Sequence, residues 1–569
     1  MTERHHAPAS TSYATSDEVD FVVVGAGAAG GVVARELSRA GFRIVVLEQG
    51  PYLREADFKH DEFAISSLAA LTNDWRVSPN TVRATAADTA VVKPYVQYGR
   101  AVGGGSVHFT ANYWRFHEID FVEHTRKGAI AGVDRDDWPI TYAELEPYYD
   151  RAEWEIGVSG LAGANPFDPP RRRGYPLPPL PIQSTGALAE RGARKLGWHA
   201  APSPMAILSQ PYKGRSSCAH CGFCETFGCE MRAKSSTLVT MIPQAEATGR
   251  CEIRPNSYVR QVEVNDAGRV TGVTYFDAHK REHVQRAKAV VLCANGAETP
   301  RLLLMSRSAR FPDGLANSSG WVGTHLMCNG NAFVGGAFTH PVNGYRGVVN
   351  TRVIHDFYEL DPALGIDGGG GLDIRHDFPP IAFAMTGLPP DAPTWGPEFK
   401  RMLRDLFTRS AYVLAHTTQL PQASNTISLD PTVKDAWGLP AIRVTFQEHA
   451  NDLKLYHFMR DRGMELMQAA GATTQWPYPV EGGGDPFLPI VHLLGTCRMG
   501  NDPARSVVDA HHRAHDVDNL FIVDGSSFVT SGRGQPTLTI QALAFRAAEH
   551  ISRLAKAGEL APGARRRAT

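Results

Sequence analysis

The chain alternates short, wholly apolar runs with longer stretches in which apolar residues recur every three or four positions. Phe21–Val24 is apolar throughout and rich in β-branched residues, the pattern of a strand buried on both faces. Val32, Val33, Leu37 and Ala40 then recur at helical spacing, with Gly41 at the C-cap, and Arg43–Leu47 is a second strand-like run ending at Glu48. Between strand and helix stand Gly25, Gly27 and Gly30 in G-x-G-x-x-G spacing. This order predicts a dinucleotide site. Gly25 permits the sharp turn, Gly27 lets a pyrophosphate approach the backbone, and Gly30 lets the helix pack close to the strand. The free N–H groups of the helix N-terminus face the phosphates, and Glu48 is placed to accept hydrogen bonds from a ribose. The pattern leaves NAD and FAD open.

Further along, Tyr98–Phe116 is glycine-rich and aromatic. Gly103, Gly104 and Gly105 in a row cannot be a stable helix interior. Beside His108, Asn112 and Trp114 they read as backbone lying flat against a large ligand. Thr141 and Glu144 form the spacing of a capping box for a helix beginning near Tyr142. Asn165–Pro181, rich in Pro and Arg, reads as an extended surface connection. Tyr258–Val264 and Arg269–Phe276 predict an antiparallel pair, and Ala287–Cys293 a buried strand leading through Ala294–Gly296 into a helix that starts at Thr299-Pro300. From about Gly330 to Pro479 short alternating segments predict an antiparallel sheet domain with helices, one of them Asp452–Ala470. His449, Asn451 and Asp452 read as that helix's start, with Asn451 capping, rather than as a catalytic trio. Phe521–Val523 is a further buried strand with Asp524-Gly525 at its carboxyl end, and the last helix opens at Pro536.

Composition narrows the function. At 569 residues the chain is too long for one core. A net charge of −1 and pI of about 7.1 exclude a strongly basic nucleic-acid surface. No apolar run reaches the length that spans a bilayer, and residues 1–16, with His5 and His6, carry no apolar signal core and read as a disordered lead-in. The Arg565–Arg567 run reads as a solvated tail. Of eight cysteines, four lie in C-x2-C-x2-C-x4-C spacing at Cys218, Cys221, Cys224 and Cys229. That distribution argues against a disulfide scaffold and for a reducing, cytoplasmic setting, with export alongside a partner subunit left open. The cluster admits an iron–sulfur cluster, a structural zinc or a loop of thiols. Four residues before the last Cys, and Glu230 after it, depart from ferredoxin spacing and favour the structural readings.

Five segments in order resemble the glucose–methanol–choline (GMC) family of FAD-dependent oxidoreductases. These are the first glycine turn, Gly99–Ser106, Gly296–Leu304, His492–Gly500, and Val523–Ser526 with Pro536–Ile540. The resemblance implies FAD, an α/β fold with a Rossmann-like domain of discontinuous segments, and an antiparallel sheet domain over the flavin. Divided accordingly, residues 17–120, 216–330 and 483–556 form the FAD domain, 331–482 the substrate domain, 121–215 a linker with part of the substrate domain, and 557–569 a tail. Cofactor residues expected from the residues and the resemblance are Gly25, Gly27, Gly30, Glu48, Gly103, Gly104, Ser106, His108, Asn112, Asp524, Gly525 and Pro536. His492 matches the family's catalytic histidine, a base whose pKa suits removal of a hydroxyl proton. Gln535 stands where members carry His or Asn; an amide donates a hydrogen bond to the substrate oxygen but cannot take its proton. His108 matches the position through which some members attach FAD covalently.

The resemblance implies oxidation of an alcohol to a carbonyl, with a flavour of bacterial gluconate, sugar and glycoside dehydrogenases suggested by the cysteines and by Ser428–Pro440. Electrons would pass to a quinone, an electron-transfer protein or oxygen, a dehydrogenase being favoured over an oxidase. The alternatives are a lyase on the same fold and an oxygen-using alcohol or sterol oxidase.

Overall fold

The computed structural model describes residues 11–64, 71–478 and 490–561. His5, His6, the first ten residues of the lead-in, residues 479–489 and Arg565–Arg567 lie outside the described residues. Three sheets organise the rest.

The first is built on the glycine turn. The strand Val19–Val24 pairs parallel with Ile44–Leu47 on one side and with Glu282–Leu292 on the other, and Ile44–Leu47 pairs in turn with Cys251–Arg254. Val22, Val23 and Ile44–Val46 are wholly buried, which explains their continuous apolar runs. Glu282–Leu292 starts earlier than its apolar core suggests because it serves two pairings. Its first half pairs antiparallel with Val270–Phe276, and its second half pairs parallel with Val19–Val24 and with Leu520–Ile522. The helix Ala28–Arg39 covers this sheet and packs against the helices Met241–Glu246 and Thr537–Lys556. The expected capping box is present: Thr141 Oγ1 accepts the Glu144 N–H at 3.2 Å, and Glu144 accepts the Thr141 N–H at 2.7 Å, opening the helix Tyr142–Ile156.

The second sheet is antiparallel, in the order Thr474–Pro477, Gly330–Ala337, Ser410–Thr417, Gly370–Arg375, Arg352–Ile354 and Ala200–Pro202. The helices Ala450–Ala470 and Ser184–Leu196 pack together beside it, burying Leu455, Met459, Leu466 and Met467 in a separate core.

Three expectations are corrected. Thr426–Lys434 and Pro440–Thr445 are not part of the antiparallel sheet. They form a third, four-stranded sheet in which Pro440–Thr445 runs parallel to Asn80–Arg83. Asp430 holds them there, accepting from Thr81 Oγ1 at 2.7 Å and from Arg443 at 3.0 Å. The helix after Leu292 starts at Asn295, so Pro300 lies inside it rather than at its start. The cap of Ala450–Ala470 is His449, whose Nδ1 accepts the Asn451 N–H at 3.1 Å while Asp452 reciprocates. Asn451 bonds Asp367 instead.

Candidate active site

The two glycine stretches meet backbone to backbone. Gly25 turns at φ +96°, and its N–H reaches the Leu47 carbonyl at 2.8 Å. Gly103 N–H bonds the Ala26 carbonyl at 2.9 Å, and a Cβ on Gly104, at φ +60°, would stand 2.7 Å from Gly27 Cα. Any side chain there would push the strands of backbone apart. Gly104–Val107 is one turn of 3₁₀ helix, with Ser106 Oγ on the Gly103 carbonyl at 2.8 Å, and it delivers His108 to the wall.

Above this contact lies a cavity of about 630 Å³, bounded by the first sheet, the glycine turns and the antiparallel sheet. Gly25, Gly27, Glu48, Gly104, Ser106, His108, His492, Asp524, Gly525, Gln535 and Pro536 line it. Three expected residues do not. Gly30 is buried beneath the turn, where a Cβ would stand 1.9 Å from the Gly25 carbonyl oxygen, so its part is helix packing. Gly103 faces Val107 and Leu238, and Asn112 is buried off the cavity.

Glu48 spends its carboxylate on the turn itself. One oxygen accepts the Ala26 N–H and the other the Gly50 N–H, both at 2.9 Å. Burial pushes its carboxyl up to about 7 against those bonds. A ribose would use the remaining lone pairs. Asp524 splits likewise: one oxygen takes the Ser526 N–H at 2.8 Å, the other Thr299 Oγ1 at 2.6 Å and the Asn295 N–H at 3.1 Å.

His492 stands on an extended segment moored from both sides. Leu494 bonds Met327, Gly495 N–H reaches the Gly525 carbonyl at 3.1 Å, and Cys497 N–H the Ser526 carbonyl at 2.7 Å. Gly296 has room for no side chain, its Cβ position lying 2.2 Å from the Leu493 carbonyl oxygen. His492 Nδ1 has no hydrogen-bond partner among the described residues, and desolvation, with His416 nearby, holds its pKa down at about 3. His108 Nε2 is also unpartnered, and burial, with Lys234 nearby, holds that ring at about 4.

The sequence reading missed the polar wall contributed by the antiparallel sheet. His416 lines the cavity with Asn329, Asn331 and Arg375. No motif marks them. Their only signal is the two-residue alternation of strands whose register the sequence does not state.

The fit to a flavin dinucleotide rests on observations of this chain: the side-chain-free contact of Gly27 with Gly104, and the unpartnered His108 Nε2 and Gln49 Oε1. Among the described residues, no group of three or more His, Cys, Asp or Glu could hold a metal ion. Burial pushes the Cys218 and Cys224 thiols up to about 11 and about 12.

Comparison with known proteins agrees with this geometry. Residues 19–327 and 421–544 match two family models described as GMC oxidoreductase. The chain is 36% identical over 550 residues to 2-methyl-1,2-propanediol dehydrogenase of Mycolicibacterium austroafricanum, covering 95% of this chain and 96% of that protein. It is 29% identical to the gluconate 2-dehydrogenase flavoprotein of Pantoea cypripedii, covering 94% and 93%. In fold it is similar to the crystal structure of pyridoxine 4-oxidase from Mesorbium loti, with a TM-score of 0.62 at 19% identity, covering 93% and 98%.

The double duty of Glu48 is testable. Glu48→Gln keeps one acceptor and turns an NH2 toward the other backbone N–H. FAD retained per purified chain should fall about tenfold, the cost of one charged hydrogen bond. Full retention, read from flavin absorbance, would contradict the role.

Proposed function

The chain belongs to the GMC oxidoreductase family, and from that membership we propose a FAD-dependent dehydrogenase that oxidises the CH–OH group of a small polar alcohol, with His492 as base. Such a reaction needs a hydride acceptor at carbon and a proton acceptor at oxygen. FAD, when bound over the glycine contact, supplies the hydride acceptor.

The chain's own residues do the rest. His492 accepts the hydroxyl proton, and its depressed pKa keeps it in the neutral form that can do so. The bonds of Leu494, Gly495 and Cys497 fix where that ring stands. Gln535 and the sheet's amides hold the substrate. The observation that carries this reading is His492 itself, an imidazole with a free nitrogen on the cavity wall. The relatives named as dehydrogenases favour a dehydrogenase over an oxidase.

We assign the loop Cys218–Cys229 a structural part. Lys234 Nζ donates to the carbonyls of Phe227 at 2.8 Å, Phe109 at 3.1 Å and Cys224, and the Thr226 N–H bonds the His108 carbonyl at 2.7 Å. The loop thereby braces the wall that carries His108. We propose His108, neutral and with Nε2 unpartnered, as the residue that carries a covalent bond to the flavin.

Two tests separate these claims. His492→Ala should slow anaerobic flavin reduction by about 10²–10⁴-fold while FAD content stays unchanged. In the wild type the base form is lost only as pH falls toward a pKa of about 3, well below the ordinary 6.5. The reduction rate should therefore be level from about pH 8 to about pH 5 and drop below that; an acid limb near the ordinary value contradicts the placement. For His108, acid precipitation should leave yellow flavin in the protein pellet, whereas a colourless pellet rules the bond out.

A further inference from the structure

The loop Cys218–Cys229 also carries Glu225, between Cys224 and Thr226. Glu225 lines the cavity, as do Arg375 of the antiparallel sheet and Asp377 just beyond its strand. The Glu225 and Asp377 carboxyl groups meet in hydrogen-bonding contact. An ionised carboxylate only accepts, so this contact brings two acceptors together with no donor between them. Glu225 Oε2 and Asp377 Oδ1 are buried, and neither has a partner among the described residues.

The cations nearby are already engaged. Arg375 grips Asp373 at 2.6 and 2.7 Å and reaches Asp377 Oδ2 at 3.2 Å. Asp373 also lies 3.3 Å from His416 Nε2. Lys234 Nζ donates to the carbonyls of Phe227 at 2.8 Å, Phe109 at 3.1 Å and Cys224, which uses its three N–H groups. Among the described residues that line the cavity, Arg375 is the one Lys or Arg, against Glu62, Glu225 and Asp377 around it.

Burial, with the Asp377 carboxylate beside it, pushes the Glu225 carboxyl well above the usual carboxylate range, against Arg375 and Lys234. With nothing else bound, one proton shared by the two groups supplies the missing donor. A cation that donates hydrogen bonds takes the place of that proton and lets both carboxylates ionise. Asn329 adds to the surplus of acceptors. Its Nδ2 donates to the carbonyls of Ser531 and Gly532, both at 3.0 Å, and its buried Oδ1, on the same cavity, has no partner. What these walls lack is donors.

We propose that Glu225 and Asp377 form a cation subsite that holds a protonated amine of the substrate, so that the alcohol oxidised in this cavity belongs to an amino alcohol or amino polyol. This assignment rests on the alcohol-oxidation reading and narrows its substrate class. An aliphatic amine is protonated at neutral pH, and its N–H groups and charge match two carboxylates. The cysteine-rich loop then has a second part, delivering Glu225 to the cavity.

Two measurements test the subsite. The first needs no turnover: calorimetry of n-butylammonium and of methyl propyl ether, a neutral molecule of the same size, on the oxidised holoenzyme. The wild type should bind the ammonium about tenfold or more tightly, and Glu225→Gln or Asp377→Asn should cut that advantage to about twofold or less. Glu225→Gln keeps a hydrogen bond to Asp377 and so spares the contact of loop with sheet. The second is anaerobic flavin reduction by amino polyols and by the polyols that carry a hydroxyl in place of the amine. Limiting rate over KM should favour the amino compounds by about tenfold or more in the wild type and by no more than about twofold in either variant. Should a variant lose its FAD, the wild-type ratios decide alone. Equal binding of ammonium and ether by the wild type, equal rates with the two substrate classes, or a preference that survives both substitutions would each overturn the proposal. Polyols that reduce the flavin while the ammonium does not bind would remove the subsite and leave the oxidation reading standing. Ammonium binding without flavin reduction by any alcohol would remove the oxidation reading, and with it the assignment of the subsite to a substrate.

Discussion

One missing hydrogen organises the active site. Pro300 sits inside the helix Asn295–Met305 and has no N–H to offer the Gly296 carbonyl one turn back. Thr496 Oγ1 donates to that carbonyl at 2.7 Å, in a fully buried position. The helix defect becomes the mooring for the segment that carries His492. Gly296 also admits the Leu493 backbone to within contact of its own Cα, which any side chain would prevent. The neighbouring Thr299 hydroxyl bonds Asp524, which closes the strand Leu520–Ile522. Three distant stretches of chain are thus held within one helical turn of each other.

Around that anchor the two halves of the cavity differ in how they hold their partners. The half nearest the glycine turns is backbone: N–H groups, glycines without Cβ atoms, and two carboxylates occupied in bracing them. It suits the shape and charge of a dinucleotide. The other half is side chain, drawn from neighbouring strands of the antiparallel sheet. There Arg375 pairs with Asp373 at 2.6 Å and with Asp377 at 3.2 Å, and shares the cavity wall with the imidazole of His416 and the amides of Asn331 and Gln535.

Much of this was legible in the chain. Phe21–Glu48 declared its strand, turn, helix and strand because a buried parallel strand is apolar at every position and the glycine spacing has a steric cause at each residue. Thr141 and Glu144 declared a helix start because capping is local. His492 and Gln535 were reached through resemblance, since a histidine among leucines carries no signal of its own. What stayed hidden was what register decides. Nothing local places Asp373 diagonal to His416, or Asn329 beside Ser531, and nothing local sends Pro440–Thr445 to pair with Asn80–Arg83. Pro300 misled for the same reason: read locally it opens a helix, and only the arrival of Thr496, far along the chain, makes it tolerable inside one.

The central proposed chemistry is the movement of a hydride from an alcohol carbon to bound FAD. Anaerobic titration of the purified flavoprotein with polyols, sugars, aldonates and glycosides addresses it directly. At least one class should bleach the flavin, consuming one equivalent of alcohol per flavin and releasing the matching carbonyl compound. Flavin that stays oxidised across the whole panel, in protein that retains its FAD, would contradict it.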